Sequence, residues 1–297
     1  MKRLIAWLGV LRLWSLTAST IPVLLGATLA AQNDLCSWTM LALTLMCGWL
    51  LQIATNLLNT YGDFRAGVDN AKNLPNAPQL VTGALQPHTV LRAGLCALLL
   101  ATGLGLTAAA LSDWRLLFFA AAGVAGVGGY TTGVRYKYMG LGVLAVFLLM
   151  GTLMVLASYY AQTCTLSWKP FFASIPIACL VAAILHGNDL RDSLSDRKAK
   201  IKTTTLILGD RNARMLFYAL HLTPYLVVGA SIVFELLPVW SLLTLLTLPL
   251  TISAIHACAT GFRTHDTLRI GKLEGLSAGT HFVFGTLLII GLLLANY

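Results

Sequence analysis

The stretch PFFASIPIACLVAAILHGNDLRDSLSDR, residues 170–197, joins an apolar run to a row of three aspartates. Residues 170–186 are largely apolar, and a helix of about 17 to 25 such residues crosses a hydrocarbon core of about 30 Å. Asp189, Asp192 and Asp196 follow at spacings of three and four, which place the carboxylates within about 60° on one face of a helix. The stretch therefore predicts a membrane-spanning helix that ends in an acidic face.

Similar runs recur along the whole chain, which has 297 residues, 57% of them hydrophobic and only 10% charged. Soluble domains carry about 25% charged residues, so this composition excludes that class. Pro22, Pro176 and Pro249 lie inside runs and predict kinks. Nine runs are long enough to span a membrane: Leu13–Ala31, Trp38–Leu58, Thr89–Leu111, Leu116–Val134, Leu141–Ala161, Pro170–His186, Met215–Phe234, Pro238–Thr260 and Leu276–Ala295. We predict an all-α, polytopic membrane protein with nine transmembrane helices.

The distribution of basic residues predicts the orientation of the chain. With nine spans, the face that holds the N-terminus receives 18 of the 20 Lys and Arg, and the other face receives Arg115 and Lys169. The positive-inside rule then places the N-terminus in the cytoplasm and Tyr297 outside. Topology explains the net charge of +9, so we expect membrane lipid around the protein and no nucleic-acid partner.

A second polar row repeats the spacing of the first one. Asn56, Asn59 and Asp63 precede the three aspartates by 133 residues each and follow the second apolar run. Both rows fall at span ends on the same predicted membrane face. Ordinary solvated helix ends would explain the nearby Lys and Arg, but they do not require two matched rows of oxygen ligands.

Oxygen ligands without a histidine or thiol are typical of sites for hard cations such as Mg²⁺, which often binds phosphate oxygens as well. Two facing rows could hold such ions on a bound diphosphate, and cations around them would offset the remaining negative charge. Basic residues on the same face could fill that role: Arg65, Lys72, Arg135, Lys137, Arg191, Arg197, Lys198, Lys200 and Lys202.

Four stretches together resemble a known family. They are RLWSLTASTIPVLLGA (12–27), NTYGDFRAGVD (59–69), YTTGVRYKYMGLGVLAVF (130–147) and HGNDLRDSLSDR (186–197). Their sequences and spacing resemble the UbiA superfamily of intramembrane aromatic prenyltransferases, and within it the menaquinone-type branch. The resemblance implies one domain over residues 1–297, with nine transmembrane helices around a central cavity. It also implies Mg²⁺-dependent transfer of a polyprenyl group from an allylic isoprenoid diphosphate to an aromatic small molecule.

The resemblance also implies roles for individual residues. Asp63, Asp192 and Lys137 are the expected catalytic residues. The expected metal ligands are Asn59, Asp63, Asp189, Asp192 and Asp196. The expected substrate-binding residues are Asn56, Arg65, Lys72, Tyr130, Tyr159, Asn188, Arg191, Arg197 and Lys202, the two tyrosines because an aromatic face stabilises an allylic cation.

The branch implies 1,4-dihydroxy-2-naphthoate as the acceptor, in menaquinone biosynthesis in the inner membrane of a bacterium. Thr60, Val143, Lys200 and the segment around Pro78 depart from the pattern of the branch. The acceptor therefore stays open between this acid and 4-hydroxybenzoate, homogentisate or a tetrapyrrole. A cation-coupled transporter is the remaining alternative. Transporters place their acids near the midplane on broken helices, whereas these acids lie at span ends.

Overall fold

The structure is a computed structural model that describes residues 2–69 and 78–295. Within these ranges the chain is almost entirely helical, and an isolated bridge between Met139 and Lys202 is the one β-type pairing. The α-helices are α1 (Lys2–Leu11), α2 (Thr17–Ala31), α3 (Trp38–Arg65), α4 (Pro87–Leu111), α5 (Leu116–Tyr130), α6 (Gly142–Val146), α7 (Met154–Thr163), α8 (Trp168–Lys198), α9 (Thr204–Val233), α10 (Leu248–Thr264), α11 (Thr267–Gly271) and α12 (Leu273–Leu294). Short 3₁₀ segments precede α2 and α10, and a π-helix over Phe147–Leu153 joins α6 to α7.

All nine predicted spans form helical segments. Among the described residues, eight continuous helical stretches are long and apolar enough to cross a membrane. The exception is α5, which has 15 residues and ends at Tyr130, before the predicted boundary at Val134. Helices suit the bilayer because they satisfy every backbone hydrogen bond within one segment. The predicted all-α membrane fold is confirmed.

The acidic rows lie on helix ends and not in loops. α3 continues to Arg65, and α8 continues to Lys198 with basic residues in its last turn, where they interact favourably with the helix dipole. Of residues 187–214, which follow the predicted span 170–186, only residues 199–203 lie outside helices. Gly209, with φ of 72°, bends α9. The rows are therefore held by rigid helical backbone.

The central helices α2, α7, α8 and α12 pack around one apolar core. Leu25, Ile177 and Phe284 are fully buried there. A Cβ on Gly26 of α2 would lie 2.4 Å from the carbonyl oxygen of Val155, so these two helices approach at backbone distance. Small residues permit such close packing between membrane helices.

The proline kinks follow the prediction in part. Pro22 and Pro176 lie inside helices, as expected, and Pro224 lies inside α9. Pro249 instead occupies the first turn of α10. Backbone N–H groups in a first turn have no partner within the helix, so proline breaks no hydrogen bond there. Its position marks the change from 3₁₀ to α-helix.

A cavity of about 230 Å³ opens mainly between helices that precede α9, with Glu274 of α12 also in its wall. Most of its wall is apolar and comes from α3, α5, α6, α7 and the π-helix, with Leu51, Phe119 and Leu149 among the lining residues. Its polar wall includes Asn59, which belongs to the first predicted row, and Asn188, which directly precedes Asp189 of the second row. The cavity thus joins an apolar interior to the ends of α3 and α8.

Candidate active site

The row on α3 surrounds the ammonium group of Lys137. Lys137 Nζ donates to Asn59 Oδ1 at 3.0 Å and forms an ion pair with Asp63 Oδ2 at 2.7 Å. Tyr138 donates its hydroxyl to Asp63 Oδ1 at 2.7 Å. Asn59 and Asp63 are buried, and the spacing of four residues puts both oxygens on one helix face. This half of the site binds one cation with oxygen ligands supplied by α3.

The row on α8 is organised around Arg191. Arg191 Nε donates to Asp192 Oδ1 at 2.8 Å, and its terminal nitrogens donate to Asn188 and to Glu274 of α12. Asp189 and Asp196 are buried, whereas Asp192 is partly exposed. The guanidinium has donors enough to hold several oxygens in a fixed geometry. Arg191 therefore ties the acidic end of α8 to the first turn of α12.

The two rows meet at Lys137. Burial disfavours the charged form of this lysine, but Asp63, Asp189 and Asp196 outweigh that effect and raise its pKa above the usual value. The charges come from both α3 and α8, so both rows lie within electrostatic reach of one ammonium group. Burial, with Asp63 next, also raises the pKa of the Tyr138 hydroxyl. The predicted convergence of the two helix ends is present in the structure.

Asp69 lies just after α3 and belongs to the same charge cluster. Burial raises its pKa to about 7, and the charge of Asp63 adds to that effect. Lys137 and Arg12 act in the opposite direction. The carboxyl group of Asp69 is therefore more basic than an ordinary aspartate.

Tyr130 lies where the polar rows meet the apolar cavity. Its side chain is buried and lines the cavity wall, and the Lys137 ammonium lies 5.8 Å from the centre of its ring. A cation at this distance from a ring centre is attracted by the negative face of the ring. The Tyr130 ring is thus placed beside the position where positive charge collects.

Other predicted substrate-binding residues have different environments. Tyr159 is 5% exposed and packs in the apolar core with Val155, outside the cavity wall, because its face of α7 turns away from the cavity. This corrects the expectation that its ring faces a substrate. Arg65, Arg197 and Lys202 are exposed at the ends of helices or beside them. Lys72 lies outside the described residues.

The donors fit a hard divalent cation that also binds a ligand. Asn59 and Asp63 already hold a cationic group, Lys137 Nζ, through three oxygen atoms within 3.0 Å. Among the described residues no group of three or more His, Cys, Asp or Glu side chains is close enough to enclose a metal ion. Mg²⁺ does not need such a cage, because it commonly takes one or two carboxylates, waters and substrate phosphates.

Several polar residues at the cavity are new relative to the sequence analysis. Glu274 lines the cavity and pairs with Arg191, and Arg12, Ser15 and Gln52 line the wall beside Asn56. The sequence predicts no site role for Arg12, although it begins the family-like stretch 12–27. Ser15 and Glu274 are single polar residues in or beside apolar runs, whereas Gln52 lies four residues before Asn56 and continues the spacing of the α3 row toward the cavity.

The fold and the site together define an integral membrane enzyme with a charged mouth and an apolar cavity. The model of the UbiA prenyltransferase family matches residues 19–269. The chain belongs to this family, and it is a prenyltransferase. This membership removes the transporter alternative.

Individual relatives agree with this assignment. The chain is 33% identical to 1,4-dihydroxy-2-naphthoate octaprenyltransferase of Bacillus subtilis, over 95% of this chain and 90% of the relative. It is also 33% identical to human UbiA prenyltransferase domain-containing protein 1, over 94% of this chain and 82% of the relative.

Two solved structures share the fold. A UbiA homolog from Aeropyrum pernix has a TM-score of 0.68 at 17% identity and covers 92% of this chain, with 97% of its own chain covered. A UbiA homolog from Archaeoglobus fulgidus bound to GPP and Mg²⁺ has a TM-score of 0.61 at 16% identity, with 96% and 99% of the two chains covered. At these identities the likeness concerns the fold alone.

Proposed function

We propose that the protein transfers a polyprenyl group from an allylic isoprenoid diphosphate to 1,4-dihydroxy-2-naphthoate. The observation that carries this proposal is the meeting of two acidic helix ends around Lys137 at one end of an apolar cavity. The charged end suits a diphosphate with its metal, and the apolar wall suits an isoprenoid chain. An isoprenoid diphosphate requires both surfaces in one continuous cavity.

Mg²⁺ is the proposed cofactor, held by Asn59, Asp63, Asp189, Asp192 and Asp196. When bound, it would neutralise the charge that develops on the departing diphosphate. The A. fulgidus homolog bound to GPP and Mg²⁺ supports a divalent metal in this fold. In this chain the proposed ligands are all oxygen atoms, and those of Asn59 and Asp63 already bind the ammonium group of Lys137, which supports the same assignment.

The cationic side chains bind and orient the diphosphate. Lys137 is held by Asp63 and Arg191 by Asp192, and both present N–H donors, which stabilise negative charge on a bound diphosphate. Asn56 and Asn188 border them, and the exposed Arg65, Arg197 and Lys202 extend the positive surface outside the cavity. Asp63 and Asp192 keep Lys137 and Arg191 in place and are therefore expected to be essential.

The cavity protects the allylic cation that forms when the carbon–oxygen bond to the diphosphate breaks. Its apolar wall excludes water, which would otherwise add to that cation. The face of Tyr130 would stabilise the positive charge. The ring carbon of the acceptor then forms the new carbon–carbon bond, and the acceptor loses a proton or carbon dioxide.

The acceptor is proposed from the relative in B. subtilis, which is named for 1,4-dihydroxy-2-naphthoate. A phenolic acceptor of another kind, such as 4-hydroxybenzoate or homogentisate, is the alternative. We further propose that residues 1–297 form one domain in the inner membrane of a bacterium, with the N-terminus in the cytoplasm and Tyr297 outside. The strong bias of Lys and Arg to one face supports this orientation.

The direct test is an assay of the purified protein in detergent with Mg²⁺, isoprenoid diphosphates of several lengths and a panel of phenolic acids. Mass spectrometry of the products identifies both substrates. We expect a prenylated product with 1,4-dihydroxy-2-naphthoate that disappears when Mg²⁺ is chelated. A product with another acid and none with this one would select the alternative acceptor.

A further inference from the structure

A small polar pocket extends the site along α3 into the cavity. Asn56 lies about one turn before Asn59, and Gln52 lies about two turns before it. All three residues therefore share one face of the helix. Asn56 Nδ2 donates to Ser15 Oγ at 2.9 Å and to the carbonyl oxygen of Leu11, also at 2.9 Å. Gln52 Nε2 donates to Ser15 Oγ at 3.2 Å. These bonds fix the two amide side chains against the segment that joins α1 to α2.

Two buried polar atoms of this pocket have no hydrogen-bond partner within the described part of the chain. They are Oε1 of Gln52, a residue that is 7% exposed, and Nε of Arg12. Both residues line the cavity. A buried polar atom without a partner costs about 1–3 kcal/mol, so a cavity ligand that reached both side chains and supplied both partners would recover this cost.

The backbone of Arg12 supports the same interpretation. Arg12 ends α1 in the left-handed region, with φ of 48° and ψ of 55°, an uncommon conformation for a residue with a side chain. The break separates α1 from the 3₁₀ turn that carries Ser15. A non-glycine residue held in this region is a frequent feature of functional sites.

We infer that Arg12 and Gln52 form the binding site for the aromatic acceptor and select an aromatic acid with a ring hydroxyl. The carboxylate of the acid accepts from the Arg12 guanidinium, and the ring hydroxyl donates to Gln52 Oε1. Ser15 and Asn56 are positioning residues, because they hold the Gln52 amide in place. This inference rests on the proposed function and adds to it the residues that recognise the acceptor.

The other two parts of the substrates have their own surfaces. The isoprenoid chain carries no polar group and needs only the apolar wall. The diphosphate faces Lys137 and Arg191, which lie at the two acidic rows. Arg12 and Gln52 line the cavity on the α1–α3 side, and Asn56 lies between Gln52 and Asn59 along α3. The reacting ring would therefore sit beside the carbon–oxygen bond that breaks.

Equilibrium dialysis of the full-length protein in detergent, without any diphosphate, tests the site. The probes are 1-hydroxy-2-naphthoate and 1-naphthol, which differ only in the carboxylate. We expect the wild-type protein to bind the acid at least about tenfold more tightly, as a charged hydrogen bond of this kind allows. The Arg12→Gln variant should lose this preference, and the Arg12→Lys variant should keep part of it.

The hydroxyl contact has a matched control in the chain. Gln52→Leu should weaken binding of both probes by about tenfold. Gln32 also has a buried Oε1 without a partner in the described residues, but it lies beside Leu292 at the other end of α2. Gln32→Leu should leave both affinities unchanged. An unchanged preference in Arg12→Gln, or equal effects of Gln52→Leu and Gln32→Leu, would overturn the inference.

Kinetics separate this inference from the proposed function. In Arg12→Gln and Gln52→Leu we expect KM for the aromatic acid to rise about tenfold, with KM for the isoprenoid diphosphate changed less than about twofold. A rise in KM for the diphosphate alone would assign Arg12 to that substrate and contradict the inference. If the wild-type protein transferred no prenyl group at all, the proposed function would fail, while dialysis would still report on the acid site.

Discussion

Lys137 and Arg191 explain how two rows of acidic residues can lie together at the end of a membrane bundle. Each cation is held by one row, Lys137 by α3 and Arg191 by α8. Burial makes unpaired charges costly, so every carboxylate near the cavity needs such a partner or a metal ion.

We expect Asp63→Ala and Asp192→Ala each to abolish prenyl transfer while the protein still inserts into the membrane. Each substitution removes a proposed metal ligand and frees the cation that it holds. Turnover of purified variants, normalised to folded protein, measures the effect. Asp210→Ala is the matched control, because Asp210 is exposed on α9 and should keep wild-type activity. Wild-type turnover in either site variant would remove the metal assignment.

The ion pair between Arg191 and Glu274 is expected to stabilise the fold as well as the site. Their side chains are only 20% and 11% exposed. Glu274→Gln should destabilise the protein by about 1–3 kcal/mol, because a buried charged hydrogen bond is lost. Arg115→Gln breaks an exposed pair and should cost less than about 1 kcal/mol. Equal unfolding temperatures for the two variants in detergent would show that Glu274 has no such role.

At the scale of elements, the site depends on where α3 and α8 end, because the acidic rows lie on those ends. The apolar runs predicted where each helix crosses the membrane, since hydrocarbon leaves the backbone no other way to satisfy its polar groups. They did not predict that α8 continues through Lys198, because a sequence such as GNDLRDSLSDR suits both a loop and a charged helical end. The three-then-four spacing indicated the helix, and the structure confirms that spacing as one face.

Close packing of α2 against α7 gives a test at this scale. Gly26→Ala would place a methyl group 2.4 Å from the carbonyl oxygen of Val155, so the helices must separate. We expect a loss of about 1–3 kcal/mol. Gly103→Ala in α4 meets no atom within 4 Å and should be neutral or slightly stabilising. Thermal unfolding in one detergent compares the two, and a Gly26→Ala variant as stable as Gly103→Ala would contradict the close contact.

At the scale of the whole molecule, the neighbours of each helix decide which polar residues reach the cavity. Asn59, Asp63 and Asp192 could be identified from sequence because their spacing repeats. Gln52 continues that spacing, four residues before Asn56. Arg12 and Glu274 could not be identified, because they are isolated in sequence and reach the cavity only when the helices assemble. Tyr159 was predicted at the site but lies in the apolar core. A tyrosine in a membrane span can face a cavity or a core, and the sequence around it does not distinguish the two.

The orientation predicts which cysteines are accessible from each side of the membrane. Cys36 is exposed in the turn between α2 and α3, on the proposed outer face. Impermeant maleimide should label it from outside in intact cells. A cysteine introduced by Arg211→Cys, at an exposed position of α9, should react only in inverted vesicles. The reverse pattern would invert the topology and place the acidic rows outside.

The most direct test of the central claim is Mg²⁺-dependent binding of an isoprenoid diphosphate, measured by isothermal titration calorimetry. We expect the wild-type protein to bind geranyl diphosphate with Mg²⁺ and to lose at least about tenfold in affinity without it. We expect the same loss for Asp63→Asn on α3 and for Asp196→Asn on α8, because both helix ends serve one site. Metal-dependent binding of wild-type strength in either variant would contradict the shared site.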